Sequence, residues 1–162
     1  MGKGNQILDG LWDALNKMVW LNNQVMKEKL KEYKPSEVHC IDYIGSHDQV
    51  NVTKLSEAFR MTTGGITKIT KKLIEKNVIQ SYKKADNKKE VYFTLTEQGT
   101  QIFQMHEALH SQFEKRDQAV FDRLTDEEYD SILRFTEAYG RHLDEVIERS
   151  EYDVHAGDCD RF

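Results

Sequence analysis

The chain has 162 residues, 38% hydrophobic and 31% charged, with a single proline and a net charge of −5. Such a length suits one domain that buries its core without disulfide staples. The composition excludes collagen-like, disulfide-framework and disordered classes and favours a helix-rich soluble fold.

No apolar run approaches the roughly 18 residues that span a bilayer, and Met1-Gly2-Lys3-Gly4-Asn5 lacks the apolar stretch of a secretion signal. A cytoplasmic protein with no membrane partner is the expectation. Cys40 and Cys159 are far apart and neither has a neighbour at C-x-x-C spacing, which suits a reducing compartment.

From about Asn5 to Tyr33, Leu8, Leu11, Leu15, Met18, Val19, Val25 and Leu30 recur at three- and four-residue steps, predicting a long first helix. Pro35 and Ser36 open a short second helix that carries Val38 and Ile41 and ends near Gly45. Asn51 is a suitable cap for a third, with Val52, Leu55, Ala58 and Phe59. After a tight turn at Arg60 and Met61, Thr62 or Thr63 caps a fourth, with Ile66, Ile69, Leu73 and Ile74 on its inner side and Asn77 closing it. Two short helices about a brief turn form a helix-turn-helix.

Residues 78–82 and 91–95 are β-branched and aromatic around a polar stretch, predicting a hairpin with a basic tip. Thr96 caps a long fifth helix to about Arg123. Thr125-x-x-Glu128 is a capping box for a sixth that runs to about Ser150. The fold class expected is mainly α with a small β-wing: a winged helix-turn-helix over 35–95, with outer helices over 5–33 and 97–150. These form one domain, 1–150, followed by an acidic tail, 151–162. The apolar stripes of the first and last helices exceed what a small wing domain could cover, and dimerisation would cover them. Trp12, Trp20, Phe103, Phe113 and Phe121 read as core or interface aromatics.

Charge distribution qualifies the acidic total, because residues 51–95 hold ten Lys or Arg against four Asp or Glu. A basic middle between acidic flanks orients encounter with phosphates. On the fourth helix Thr63, Thr67, Lys68, Lys71 and Lys72 lie outward, with Gly64 and Gly65 near its start. Hydroxyls and glycines permit close approach to base edges, and lysines hold phosphates. The wing adds Lys83, Lys84, Lys88 and Lys89. A lysine-rich helix face is often only a solvated one, but solvation does not require a basic hairpin directly after it. The residues expected to contact DNA are Arg60, Thr62, Thr63, Gly64, Thr67, Lys68, Lys71, Lys72, Lys84, Lys88 and Lys89.

His106-Glu107-Ala108-Leu109-His110 matches H-E-x-x-H, a pattern that places two imidazoles on one helical face where they can share zinc. A zinc-dependent hydrolase is the enzyme alternative. Against it, no third ligand or substrate-aligning edge strand is evident, so no catalysis is expected. A helical dimerisation adaptor that never touches DNA is the non-enzymatic rival. Cys40 is a candidate redox thiol, although most single buried cysteines are apolar packers.

Three segments carry a resemblance to the MarR family: Pro35-Ser36-Glu37-Val38-His39-Cys40, then Met61 to Leu73 (MTTGGITKITKKL), and the wing exit Val91-Tyr92-Phe93-Thr94-Leu95-Thr96-Glu97-Gln98-Gly99. The resemblance spans about residues 5–150. It implies a homodimeric regulator, a repressor, on a pseudo-palindromic operator in double-stranded DNA, with a small effector ligand or metal between dimerisation and DNA-binding regions. The family's wing-tip Asp and Arg are matched here by Asn87 and Lys89. The histidine pattern is similar to that of the family's zinc-sensing branch, which implies His39, His106 and His110 as metal ligands. That branch's cysteine at the end of the first helix is absent, leaving Glu28, Glu32 or Glu107 as guesses for a fourth ligand. The same junction in the family takes aromatic organic ligands.

Overall fold

The computed structural model describes residues 2–149, so the expected acidic tail and Cys159 lie outside the described residues. The chain falls into two compact units, which divide between His110 and Ser111.

The first unit contains α1 (Lys3–Lys29), α2 (Pro35–Ser46), β1 (Val50–Asn51), α3 (Val52–Phe59), α4 (Thr63–Glu75), β2 (Ile79–Tyr82), β3 (Tyr92–Leu95) and the start of α5 (Glu97–Phe121). Local chemistry sets most boundaries. Pro35 opens α2, and the Glu37 carboxylate reaches back to accept from the Lys34 amide at 2.9 Å. The Asn51 side chain accepts from the Lys54 amide, and the Thr62 hydroxyl from the Gly65 amide. Arg60 takes the left-handed conformation (φ 51°) between α3 and α4. Asn77 does the same at φ 56°, its amide bonding Ile74 O while Val78 N bonds Leu73 O, the paired closure of a Schellman motif.

The sheet is antiparallel in the order β1-β3-β2, with Val50 opposite Phe93 and Ile79 opposite Leu95. The two-residue β1 was not expected, since so short a strand leaves no periodic trace. Ile41, Leu55, Ile66, Leu73, Val50, Val78 and Ile79 are each at most 1% exposed and form the core, each such side chain contributing ~1.5–3 kcal/mol by leaving water. One expectation fails: Ile74 is 41% exposed, while Thr70 is 2% exposed and occupies the inner face. Ile66, Thr70 and Leu73 fall at steps of four and three, within one narrow arc, and Ile74 lies past its edge. The Thr70 hydroxyl is satisfied by Thr67 O at 3.2 Å.

Two glycines permit close approaches in this unit. A Cβ on Gly99 would meet Val78 O at 1.9 Å, and one on Gly45 would meet the Phe103 ring at 2.6 Å. The second contact brings α2 against α5.

The second unit holds the remainder of α5 and α6 (Asp126–Arg149). Thr125 and Glu128 form the expected reciprocal cap at 2.8 Å and 3.3 Å. Within this unit Ile132, Leu133, Leu143 and Val146 of α6 stand exposed, as Leu8, Leu11, Trp12 and Trp20 of α1 do within the first.

Candidate nucleic-acid interface and histidine cluster

With Ile66, Thr70 and Leu73 turned to the core, the opposite stripe of α4 is Gly64, Lys68 and Lys71, at steps of four and three; all three are exposed. Thr67 lies beside this stripe and is half-buried, its hydroxyl donating to Thr63 O at 2.7 Å. Gly64 differs from Gly45 and Gly99 in that a Cβ there would meet nothing within 4 Å, as at Gly4, Gly10 and Gly140, and its φ is not positive. The protein's own packing gives no reason for a glycine at that point.

In the wing, Asn87 curls its carboxamide oxygen onto the Lys89 and Glu90 amides, at 3.2 and 3.3 Å. Asn87 therefore shapes the tip, and Lys88 and Lys89 are left exposed on it. Lys84 is half-buried over the Tyr92 ring, 4.8 Å from its centre. Arg60, Thr62, Thr63, Lys72 and Lys83 are exposed.

The histidines occupy the contact between α2 and α5. His106 is 5% exposed, with Nδ1 3.1 Å from the Asp42 carboxylate and Nε2 3.1 Å from His110 Nε2. A carboxylate can only accept, so Nδ1 carries the proton and Nε2 offers its lone pair. Burial pushes the His106 pKa below 6.5, the facing His110 adds to this and Asp42 opposes it. Partial desolvation likewise lowers His39, a residue that keeps an exposed face, with Asp42 opposing and His110 adding. Both shifts favour the neutral imidazole, the form that binds metals.

The structure brings together His106, His110 and Asp42, with His39 one helical turn before Asp42 on α2. Among the described residues no three His, Cys, Asp or Glu side chains converge at metal-ligand spacing. Glu28, Glu32 and Glu107 are exposed, and Glu32 is tied instead through its backbone carbonyl to Lys76 at 2.9 Å. The 3.1 Å contact is a hydrogen bond in which His110 Nε2–H donates to His106 Nε2, and imidazole nitrogens are the donor type that a borderline-soft cation takes. Asp42 escaped sequence reasoning, although an acid three residues after His39 shares its helical face. Cys40 is 1% exposed within the core, an environment that keeps a thiol from the solvent that activates it.

A helix-turn-helix closed by a three-stranded wing, with a basic outer stripe on its second helix, is the architecture of a DNA-binding transcriptional regulator. The comparisons agree. A family model described as the MarR family matches residues 34–91. The HTH-type transcriptional regulator PchR of Bacillus subtilis (strain 168) is 32% identical over 141 residues, covering 78% of this chain and 83% of the relative. The transcriptional regulator ZitR of Lactococcus lactis subsp. cremoris (strain MG1363) is 29% identical over 100 residues, 62% of this chain and 68% of the relative. Among solved structures, Streptococcus pneumoniae FabT in complex with DNA superimposes with a TM-score of 0.71 at 20% identity, covering 88% of this chain and 96% of that one, a likeness of fold.

The chain belongs to the MarR family of transcriptional regulators. It is a winged-helix regulator and not an enzyme, so the hydrolase reading of His106-Glu107-x-x-His110 falls. Among the described residues no helix is long and apolar enough to cross a membrane.

Proposed function

We propose that this regulator is a cytoplasmic homodimeric repressor that reads a pseudo-palindromic operator through α4 and the wing, and whose affinity is set by a metal ion at the histidine cluster. The observation that carries the DNA reading is the outer stripe of α4, where Gly64, Lys68 and Lys71 stand exposed opposite a fully buried inner face. Arg60, Thr62, Thr63, Thr67 and Lys72 flank that stripe, and Lys84, Lys88 and Lys89 extend it on the wing. The unburied apolar residues of α1 and α6 supply the material for a dimer interface. With lysine in place of arginine at position 89, the wing relies on phosphate contact more than on groove shape.

The metal reading rests on the neutral, buried His106 whose Nε2 faces His110. His106 and His110 would hold the ion and His39 would join them by a change of rotamer. A borderline-soft cation such as zinc would supply a crosslink between α2 and α5, favouring one placement of the reading head. An organic effector at the same junction is the second reading, and the polar character of the cluster favours the metal.

Gel-shift titrations test both parts. Lys89→Ala should weaken binding to every duplex and reduce the salt slope by about one, and an unchanged slope removes Lys89 from the interface. Operator affinity should differ between zinc and chelator, and His106→Ala should abolish the difference. Indifference to all three conditions sinks the metal reading and leaves DNA binding standing.

A further inference from the structure

Asp42 lies on α2 and His106 on α5, and the contact of Gly45 with Phe103 explains why they meet. Gly45 is three residues after Asp42, and Phe103 three before His106. The missing Cβ of Gly45 lets the Phe103 ring settle where a methyl would stand 2.6–2.9 Å from its carbons. The helices therefore approach closely one turn away from the Asp42–His106 pair, and Asp42 Oδ1 comes within 3.1 Å of His106 Nδ1. Asp42 is only partly shielded while the imidazole is buried, with side-chain exposures of 36% and 7%.

We infer that Asp42 is a positioning residue for the effector site: it fixes His106 as the Nδ1–H tautomer and so aims the Nε2 lone pair at the point that His110 also faces. This deepens the metal reading and rests on it for the identity of the ligand, a borderline-soft divalent cation. Asp42 is not itself a ligand of an ion held between the two Nε2 atoms, because its oxygen sits on the opposite edge of the ring. Its work is that of an outer-shell carboxylate: it orients the imidazole, withholds the wrong tautomer and raises the ring's basicity toward a metal. It also makes α2, part of the DNA-reading body, a partner of the imidazole on α5. Without Asp42 the Nε2–H tautomer becomes accessible, and the two facing nitrogens could both carry protons.

Two variants and two readouts test this on the full chain. Asp42→Ala should lower the affinity for zinc alone, measured against a competing chromogenic chelator, by about 10–100-fold. In the metal-free protein the 15N shifts of His106 should move from the Nδ1–H pattern toward a mixture. Asp42→Asn keeps an acceptor oxygen and should retain the wild-type tautomer with most of the affinity. Wild-type tautomer and zinc affinity within about threefold of wild type in Asp42→Ala would overturn the inference. An Asp42-dependent tautomer in a wild-type protein that takes up no zinc would uphold the positioning role and sink the metal reading alone.

Discussion

Gly64→Ala separates a glycine needed by the fold from one needed by a partner, because the two roles predict opposite signs. Gly64 is the second residue of α4, its φ is not positive, and a Cβ there meets no atom within 4 Å. Alanine is the better helix former by about 1 kcal/mol in a helix interior, and it also narrows the unfolded ensemble. Near the end of a helix we expect roughly 0.5–1 kcal/mol of added stability, raising the Tm by about 1–4 °C. Against duplex DNA the same methyl projects outward on the stripe of Lys68 and Lys71. A base-edge or backbone approach at the Cα would be pushed off, costing ~1–3 kcal/mol, or about 5- to 150-fold in affinity. The salt slope should be unchanged, since no charge is lost. Thermal melting and gel-shift titration on one preparation suffice. A lower Tm would show that the fold needs this glycine, and affinity within twofold of wild type would remove the first turn of α4 from the closest approach.

Gly45→Ala should behave oppositely, losing about 1–3 kcal/mol because its methyl would lie 2.6–2.9 Å from three carbons of the Phe103 ring. Adding Phe103→Leu should restore part of the lost Tm, and a single variant that melts like wild type refutes the packing argument. Acidification provides a third test. His39 and His106 have folded-state pKa values below 6.5, so the unfolded chain takes up protons first as pH falls. Their stabilisation is complete above about pH 6.5 and drains away as pH drops from there through the lower folded values. The fall in Tm between about pH 7.5 and 5.5 should be shallower in a His39→Gln, His106→Gln double variant, and an identical slope would assign the acid sensitivity elsewhere.

Asn51, Thr62, Asn77 and the Thr125–Glu128 pair are legible as caps because each acts on backbone only a few residues away. The same locality makes the helix-turn-helix, the wing and the outward lysines readable in order along the chain. Periodicity fails where the period is under-sampled or tertiary shape decides. The two-residue β1 exists only because β3 offers it a partner, with Val50 opposite Phe93. Thr70 rather than Ile74 faces the core because the neighbouring elements close over one narrow arc of α4.

The histidines divide along the same line. That His106 and His110 share a face follows from their spacing alone. That Asp42 holds His106, and that the His39 and His106 pKa values fall below the usual imidazole value, required α2 to lie against α5 at a distance set by Gly45 and Phe103. Sequence determines what each helix presents, because side-chain direction within a helix is a local property. Which presented groups meet is settled by packing between elements distant in the chain.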